Sequence, residues 1–388
     1  MLLSRFSNLH TQHPALVRKI FTMSLLATTI GATLQAVAAP SVERSVKVDE
    51  QIYEIAFNSK TQTLYAAVTG SRDIDEKTGK KRVASGIVVL DAQTLKQVDK
   101  IATGDMTPFG LSINHTTQKL YAPDTSQGQV GVYAIDSGKE VALIKSSGKE
   151  SNHLRQIVVD ETSNMIYIST VGGSERNGKT GPESAIWVID GKTDTLKSVI
   201  TNPVKIATGL AIDTDNQRLY VSDLSNSDIA EIDLKTHKVL RKFSGVESLE
   251  GAKTAGSDTI NMEIDTKNGI LYAINQKSGG VAMIDLKSGD ILSTVKTGSG
   301  ALSARLHPQS GDLYVANRND GTVSIIDAKT HFVSAHLSTG THPQTIAIDP
   351  KSGQVYVSNK AKGKGRGAPK DAPTPTEPAG NTVTLITP

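Results

Sequence analysis

The chain has 388 residues, 37% of them hydrophobic and 21% charged, with no cysteine and a formal net charge of +3. Without cysteine there is no disulfide staple and no thiol for a lipid, and a chain of this length needs no staple to stabilise its core. Arg5, Arg18 and Lys19 are the only charges before position 39; removing those three from 42 basic residues leaves 39, equal to the 39 acidic ones. That balance excludes a strongly cationic protein but not a locally basic face.

The N-terminus reads as a leader. Its three cations precede an apolar stretch from Ile20 to Ala39, and Ala36-Val37-Ala38 forms a small-residue cleavage site. This is the pattern of a signal peptide, residues 1–38, with Ala39 as the new first residue. Thr22, Ser24, Thr28, Thr29, Thr33 and Gln35 make the stretch a poor membrane span; an uncleaved anchor is the alternative. A soluble periplasmic protein is expected, or a secreted one. ERSVKVDE, Glu43 to Glu50, then supplies one strand with no neighbour of its own.

From there to the end the chain repeats itself. Tyr65, Tyr121, Tyr167, Tyr220, Tyr272, Tyr314 and Tyr356 each follow a turn-starting residue by seven positions, as in DTDNQRLY and HPQSGDLY. A short apolar run precedes each turn, a second follows it, a third ends mostly in aspartate and a fourth alternates in charge. Short β-branched runs bounded by Gly, Asn, Asp and Ser are strands. Four strands per repeat of this length make propeller blades, so residues 39–388 are predicted to be one all-β, seven-bladed β-propeller of WD40/YVTN-like type. The last repeat, QTIAID, QVYVSN and NTVTLITP, lacks a fourth strand. Pairing the spare N-terminal strand with Val383 to Ile386 closes the ring and removes two exposed edges.

Two column patterns bear on function. The first strands carry Ile55, Leu111, Ile157, Leu210, Met262, Ala304 and Ile346 on one face and Ala56, Ser112, Val158, Ala211, Glu263, Arg305 and Ala347 on the other. The third strands end in Asp91, Asp136, Asp190, Asp233, Asp285 and Asp327, which read as turn starters rather than as a metal ring.

Candidate ligand residues fall in two groups. The loops between second and third strands are the variable ones, and variable loops of a repeat array mark the binding face. Blade 1 offers Arg72, Lys77, Lys80, Lys81 and Arg82, and blade 7 offers Lys360, Lys362, Lys364, Arg366 and Lys370 within a Lys-, Pro- and Gly-rich loop at 360–380 that reads as flexible. Blades 1 and 7 are neighbours in a closed ring, so these loops are expected to form a cationic rim for an anionic partner. The channel mouth is the second group: Phe109, Arg155, Gln156, Asn261, Glu263, Arg305 and His342, with Glu263 and Arg305 placed to pair across adjacent blades. Aromatic platforms for bases are scarce, and Trp187 reads as core.

No complete catalytic constellation appears. The histidines show no H-x-H or H-E-x-x-H spacing, no G-x-S-x-G elbow occurs, and only Asn261 and Glu263 suit a channel calcium that needs six to eight oxygen ligands. No metal site, cofactor or enzymatic activity is expected.

LYVSD, LYVAN and VYVSN, with VSIID or VAMID after them, resemble the YVTN-type bacterial β-propellers. TPFGLSINHTTQKLY, AIWVIDGKTDTLK and ATGLAIDTDNQRLY are more closely similar to the periplasmic YncE-type members, over nearly everything from residue 45 onward. The resemblance implies a seven-bladed periplasmic propeller without known catalysis, for which single-stranded DNA binding has been proposed. The expected function is therefore a monomeric, non-catalytic binding platform for a flexible anionic polymer such as single-stranded DNA. A protein or cell-envelope scaffold is the alternative, and a metal-dependent hydrolase or lactonase at the channel mouth comes third.

Overall fold

The computed structural model describes residues 39–388 apart from 72–73, 76, 147, 149, 174–180, 248–257, 364–368, 370–374 and 376. The predicted leader, 1–38, lies outside the described residues. Those described hold 28 strands and no helix, arranged as seven antiparallel four-stranded sheets. Six blades take their strands in chain order, spanning 52–102, 112–145, 154–201, 207–244, 259–296 and 301–338. Blade 7 has Pro343–Ile348, Val355–Asn359 and Thr382–Thr387, and Ser41–Lys47 completes it. That strand runs antiparallel to the last one, from Ser41 opposite Thr387 to Lys47 opposite Thr382. The expected closure forms, starting two residues before Glu43. Each first strand touches the first strands of both neighbouring blades, the seventh touching the first.

The tyrosine spacing follows from turn chemistry. Each first strand ends on a side chain that accepts backbone N–H groups of the turn after it: Asn58 from Lys60, Asn114 from Thr117, Asp160 from Thr162 and Ser163, Asp213 from Asn216, Asp265 from Asn268 and Asp349 from Lys351. Blade 6 has His307 in this position. Its Nδ1 accepts from Gln309 and Ser310, and its Nε2 donates to the carbonyl of Gly353 in blade 7 at 3.0 Å. That pattern fixes a neutral imidazole with the proton on Nε2. The turn's fifth residue is left-handed in all seven blades: Gln62, Gln118, Asn164 and Gln217, then Gly269, Gly311 and Gly353. Glutamine is a poor choice there, at about 1–2 kcal/mol relative to glycine, but Gln118 offsets it by bonding Asn58 of blade 1 and its own turn.

Each tyrosine then lies directly opposite the second column of the first strand: Ala56, Ser112, Ala211 and Ala347 face Tyr65, Tyr121, Tyr220 and Tyr356, while Glu263 and Arg305 face Tyr272 and Tyr314. Paired residues share a face. All seven tyrosines are buried. The aspartates ending the third strands are turn starters: Asp91, Asp233 and Asp327 each accept from a threonine three residues on, through both its N–H and its hydroxyl. The cores lie between blades. One cluster joins Tyr167 and Val188 of blade 3 to Leu210, Val221 and Ile232 of blade 4. Another joins Ile52 and Leu64 of blade 1 to Tyr356, Val383 and Leu385 of blade 7. Trp187 is buried in such a cluster.

Two outcomes follow. His307→Ala lowers the unfolding free energy by about 1–3 kcal/mol in urea denaturation, because it removes a buried side chain that ties the Gln309 and Ser310 N–H groups of its own turn to the Gly353 carbonyl of blade 7. His307→Asp, which keeps the acceptor used elsewhere and loses only the bond to Gly353, is milder. Removing residues 41–47 exposes the Thr382–Thr387 edge, and size-exclusion chromatography then shows association together with a lower, broader thermal transition.

Candidate functional site at the channel mouth

Three columns of the repeat converge at one end of the axis. Two residues before the bulky column stand Tyr53, Phe109, Arg155, Ile260, Leu302 and Gln344; one residue before it stand Glu54, Gln156, Asn261, Ser303 and Thr345. The residue that follows the second strand contributes Gln276, Arg318 and Lys360 from the last three blades. Together these line a cavity of about 430 Å³.

Its walls are cationic and aromatic. Tyr53 and Phe109 hold the same column in adjacent blades, and their ring centres lie 4.3 Å apart. Lys360 is buried against the Tyr53 hydroxyl, its ammonium 3.8 Å from the centre of that ring. Arg318 donates to Gln344 Oε1 at 3.0 Å, and Gln344 is itself anchored on the carbonyl of His342. Arg155 makes no hydrogen bond to any described residue. Burial, with Arg318 nearby, pulls its guanidinium down to about 10 in spite of Glu54. Asn261 donates to the carbonyl of Leu302, leaving its buried Oδ1 without a hydrogen-bond partner among the described residues.

Two carboxylates complete the site. Burial pushes Glu54 up to about 7, although Arg305 and Arg155 both favour its ionised form. Glu263 bonds Arg305 Nη1 at 2.8 Å and the backbone N–H of Leu306, and this pairing holds the Arg305 charge in place. Arg305 also lines a second cavity, of about 490 Å³, at the turn ends of the same strands, where Ala56, Leu111, Ile113, Leu306 and Pro350 make a largely apolar wall. The ion pair therefore stands between the two spaces.

Of the expected mouth residues, Phe109, Arg155, Gln156, Asn261 and Arg305 line the upper cavity. Glu263 stands behind Arg305, and His342 supports the site through its carbonyl, which accepts from the Lys360 N–H. Burial and the cations around them hold His342 and His153 below the ordinary histidine range, hence neutral at pH 7.

The rim is less coherent than expected. Arg72, Lys364, Arg366 and Lys370 lie outside the described residues. Lys77, Lys80, Arg82 and Lys362 are exposed. Two other residues need correcting. Lys81 is no free rim cation: its ammonium donates to the Thr69 carbonyl, to Ser85 and to Thr107 at the approach to blade 2. Lys360 belongs to the channel, because it directly follows the Asn359 that ends its strand and so points inward before the loop begins. Tyr53, Glu54 and Arg318 were not singled out from sequence. The signal was present as periodicity, with Tyr53 and Phe109 in one column and Gln276, Arg318 and Lys360 in another.

The donor set does not fit a divalent cation. Both channel carboxylates sit beside guanidinium groups, and among the described residues no three His, Cys, Asp or Glu side chains come together to hold a metal.

Glu54 makes a pH test available. Its folded pKa, about 7, lies above the ordinary 4.5. Stability is therefore lost as pH rises from 4.5 toward 7 and stays low above it. Glu54→Gln removes that loss, so it raises stability at pH 8 by roughly 2–3 kcal/mol and has a much smaller effect at pH 5. Urea melts at both pH values check this.

A family model described as SMP-30/Gluconolactonase/LRE-like region matches residues 139–319. The uncharacterized protein YncE of Escherichia coli strain K12 is 30% identical over 291 residues, covering 72% of this chain and 76% of that protein. YncE of Salmonella typhi is 30% identical over 297 residues, covering 74% of this chain and 76% of its own length. With seven blades, a strand-exchanged closure and this extent of identity, the chain belongs to the YncE family of β-propellers.

Proposed function

We propose that the protein is a non-catalytic binding platform, exported to the periplasm after removal of residues 1–38, that holds a flexible anionic polymer such as single-stranded DNA. The observation that carries this reading is Arg155, a desolvated guanidinium without a hydrogen bond, facing a cavity that also holds Arg318, Lys360 and the Tyr53–Phe109 pair. A half-buried guanidinium with no hydrogen-bond acceptor among the described residues, helped only by the charge of Glu54, gains when an anion reaches it. Phosphate supplies that anion, and aromatic side chains are the platforms that sequence-tolerant single-strand binding uses for bases. The weight of the reading thus moves from the outer rim to the mouth. The exposed lysines of the loops supply diffuse attraction rather than a site.

The test is fluorescence anisotropy of a labelled oligonucleotide against the purified protein over a salt series. Arg155→Gln with Arg318→Gln is expected to flatten the slope of log affinity against log salt by about 1.4, as removal of two single-strand phosphate contacts should. Phe109→Ala weakens binding roughly tenfold, the loss of one stacked base. Changing Lys77, Lys80, Arg82 and Lys362 to serine has a smaller effect than either. No binding at low salt sinks the reading and leaves an envelope scaffold as the better account.

A further inference from the structure

Arg305 lines both the upper cavity and the second space on the axis, and its ion pair with Glu263 stands where the two meet, so a strand running on through the ring would have to pass that pair. The upper cavity's 430 Å³ is the volume of one ligand-sized group. An internal phosphodiester carries chain on both sides and would need two strands to pass the mouth together; a chain end needs one. Arg155 and Arg318 line the same cavity, and Arg318 disfavours the Arg155 charge; an anion carrying more than one charge serves both guanidinium groups best. A terminal phosphate monoester carries about 1.5 to 2 negative charges and three acceptor oxygens, whereas an internal diester carries one charge.

We propose that the mouth reads the end of an anionic strand: a terminal phosphate enters first and rests on Arg155 and Arg318, its base lies against the Tyr53–Phe109 pair, and the chain behind it leaves over the rim. The proposal rests on the binding function above. It narrows the ligand from any single strand to one with a free, phosphorylated end.

The experiment compares single-stranded DNA of one sequence and length in four forms: circular, linear with hydroxyl ends, and linear with a phosphate at either terminus. Unlabelled forms compete against a labelled linear strand on the wild-type protein. The expected result is that a phosphorylated linear form competes at least tenfold better than the circle and that a nucleoside monophosphate also competes. Arg155→Gln, with its thermal transition measured alongside, should erase the advantage of the phosphate. Equal competition by circle and phosphorylated strand overturns the inference while leaving the binding function standing, because the strand then lies across the mouth. Binding that favours linear DNA with no gain from either phosphate also overturns it, since the terminal phosphate is its core. If no form binds at low salt, the binding function itself fails and the inference falls with it. Because the circle and the linear forms are compared on the unaltered protein, the answer does not depend on any variant folding.

Discussion

A four-stranded twisted sheet with two apolar faces can cover neither of them alone. In this protein each face is covered by the next blade, and the clusters that result are shared property, as with Tyr167 and Val188 of blade 3 against Leu210 and Val221 of blade 4. Ala56, Ser112 and Ala347 each lie opposite a buried tyrosine ring. Seams reinforce the packing with polar contacts. The Tyr121 hydroxyl of blade 2 reaches Asp194 of blade 3, and Arg241 of blade 4 donates to backbone carbonyls of blade 5 while holding Glu231. A stack of this kind has no stable half: ring closure supplies the last missing neighbour.

That arrangement also decides where function can reside. The blade faces are occupied and the outer strands are repetitive. What varies freely is the channel end of the first strands and the residue just after the second, because these side chains meet space rather than another sheet. Glu263 and Arg305 show how a departure is tolerated. They break the small column in neighbouring blades, and each is satisfied by the other. Arg155 and Glu54 share one cavity and offset each other only through charge, with burial outweighing that attraction for both.

Much of the fold was legible in the sequence because the repeat signals itself several times over: a turn-starting side chain, a tyrosine, a terminal aspartate. His307 in an aspartate column shows that the rule is chemical, an acceptor of turn N–H groups, and not a residue type. The site was harder to read. Lys360 was assigned to the loop because KAKGKGRG reads as one basic run, yet a strand end fixes its direction and separates it from Lys362. Tyr53 and Glu54 fell outside the two columns first compared, which began one and two residues too late. The fall of the basic loops into one rim failed for Lys81 because charge counts say nothing about which way an ammonium turns; the Thr69 carbonyl and Ser85 of its own loop, with Thr107 at the approach to blade 2, decided it.

The closing sheet has a mechanical consequence. Ser41 lies beside Thr387, so the first and last ordered strands are antiparallel neighbours with their outer ends together. A force drawing the two termini apart would act at that corner and peel the pair open one hydrogen bond at a time. A shearing load, by contrast, would stretch the whole ladder at once and meet far more resistance. The closing pair is thus the weak link under tension applied through the ends of the ring.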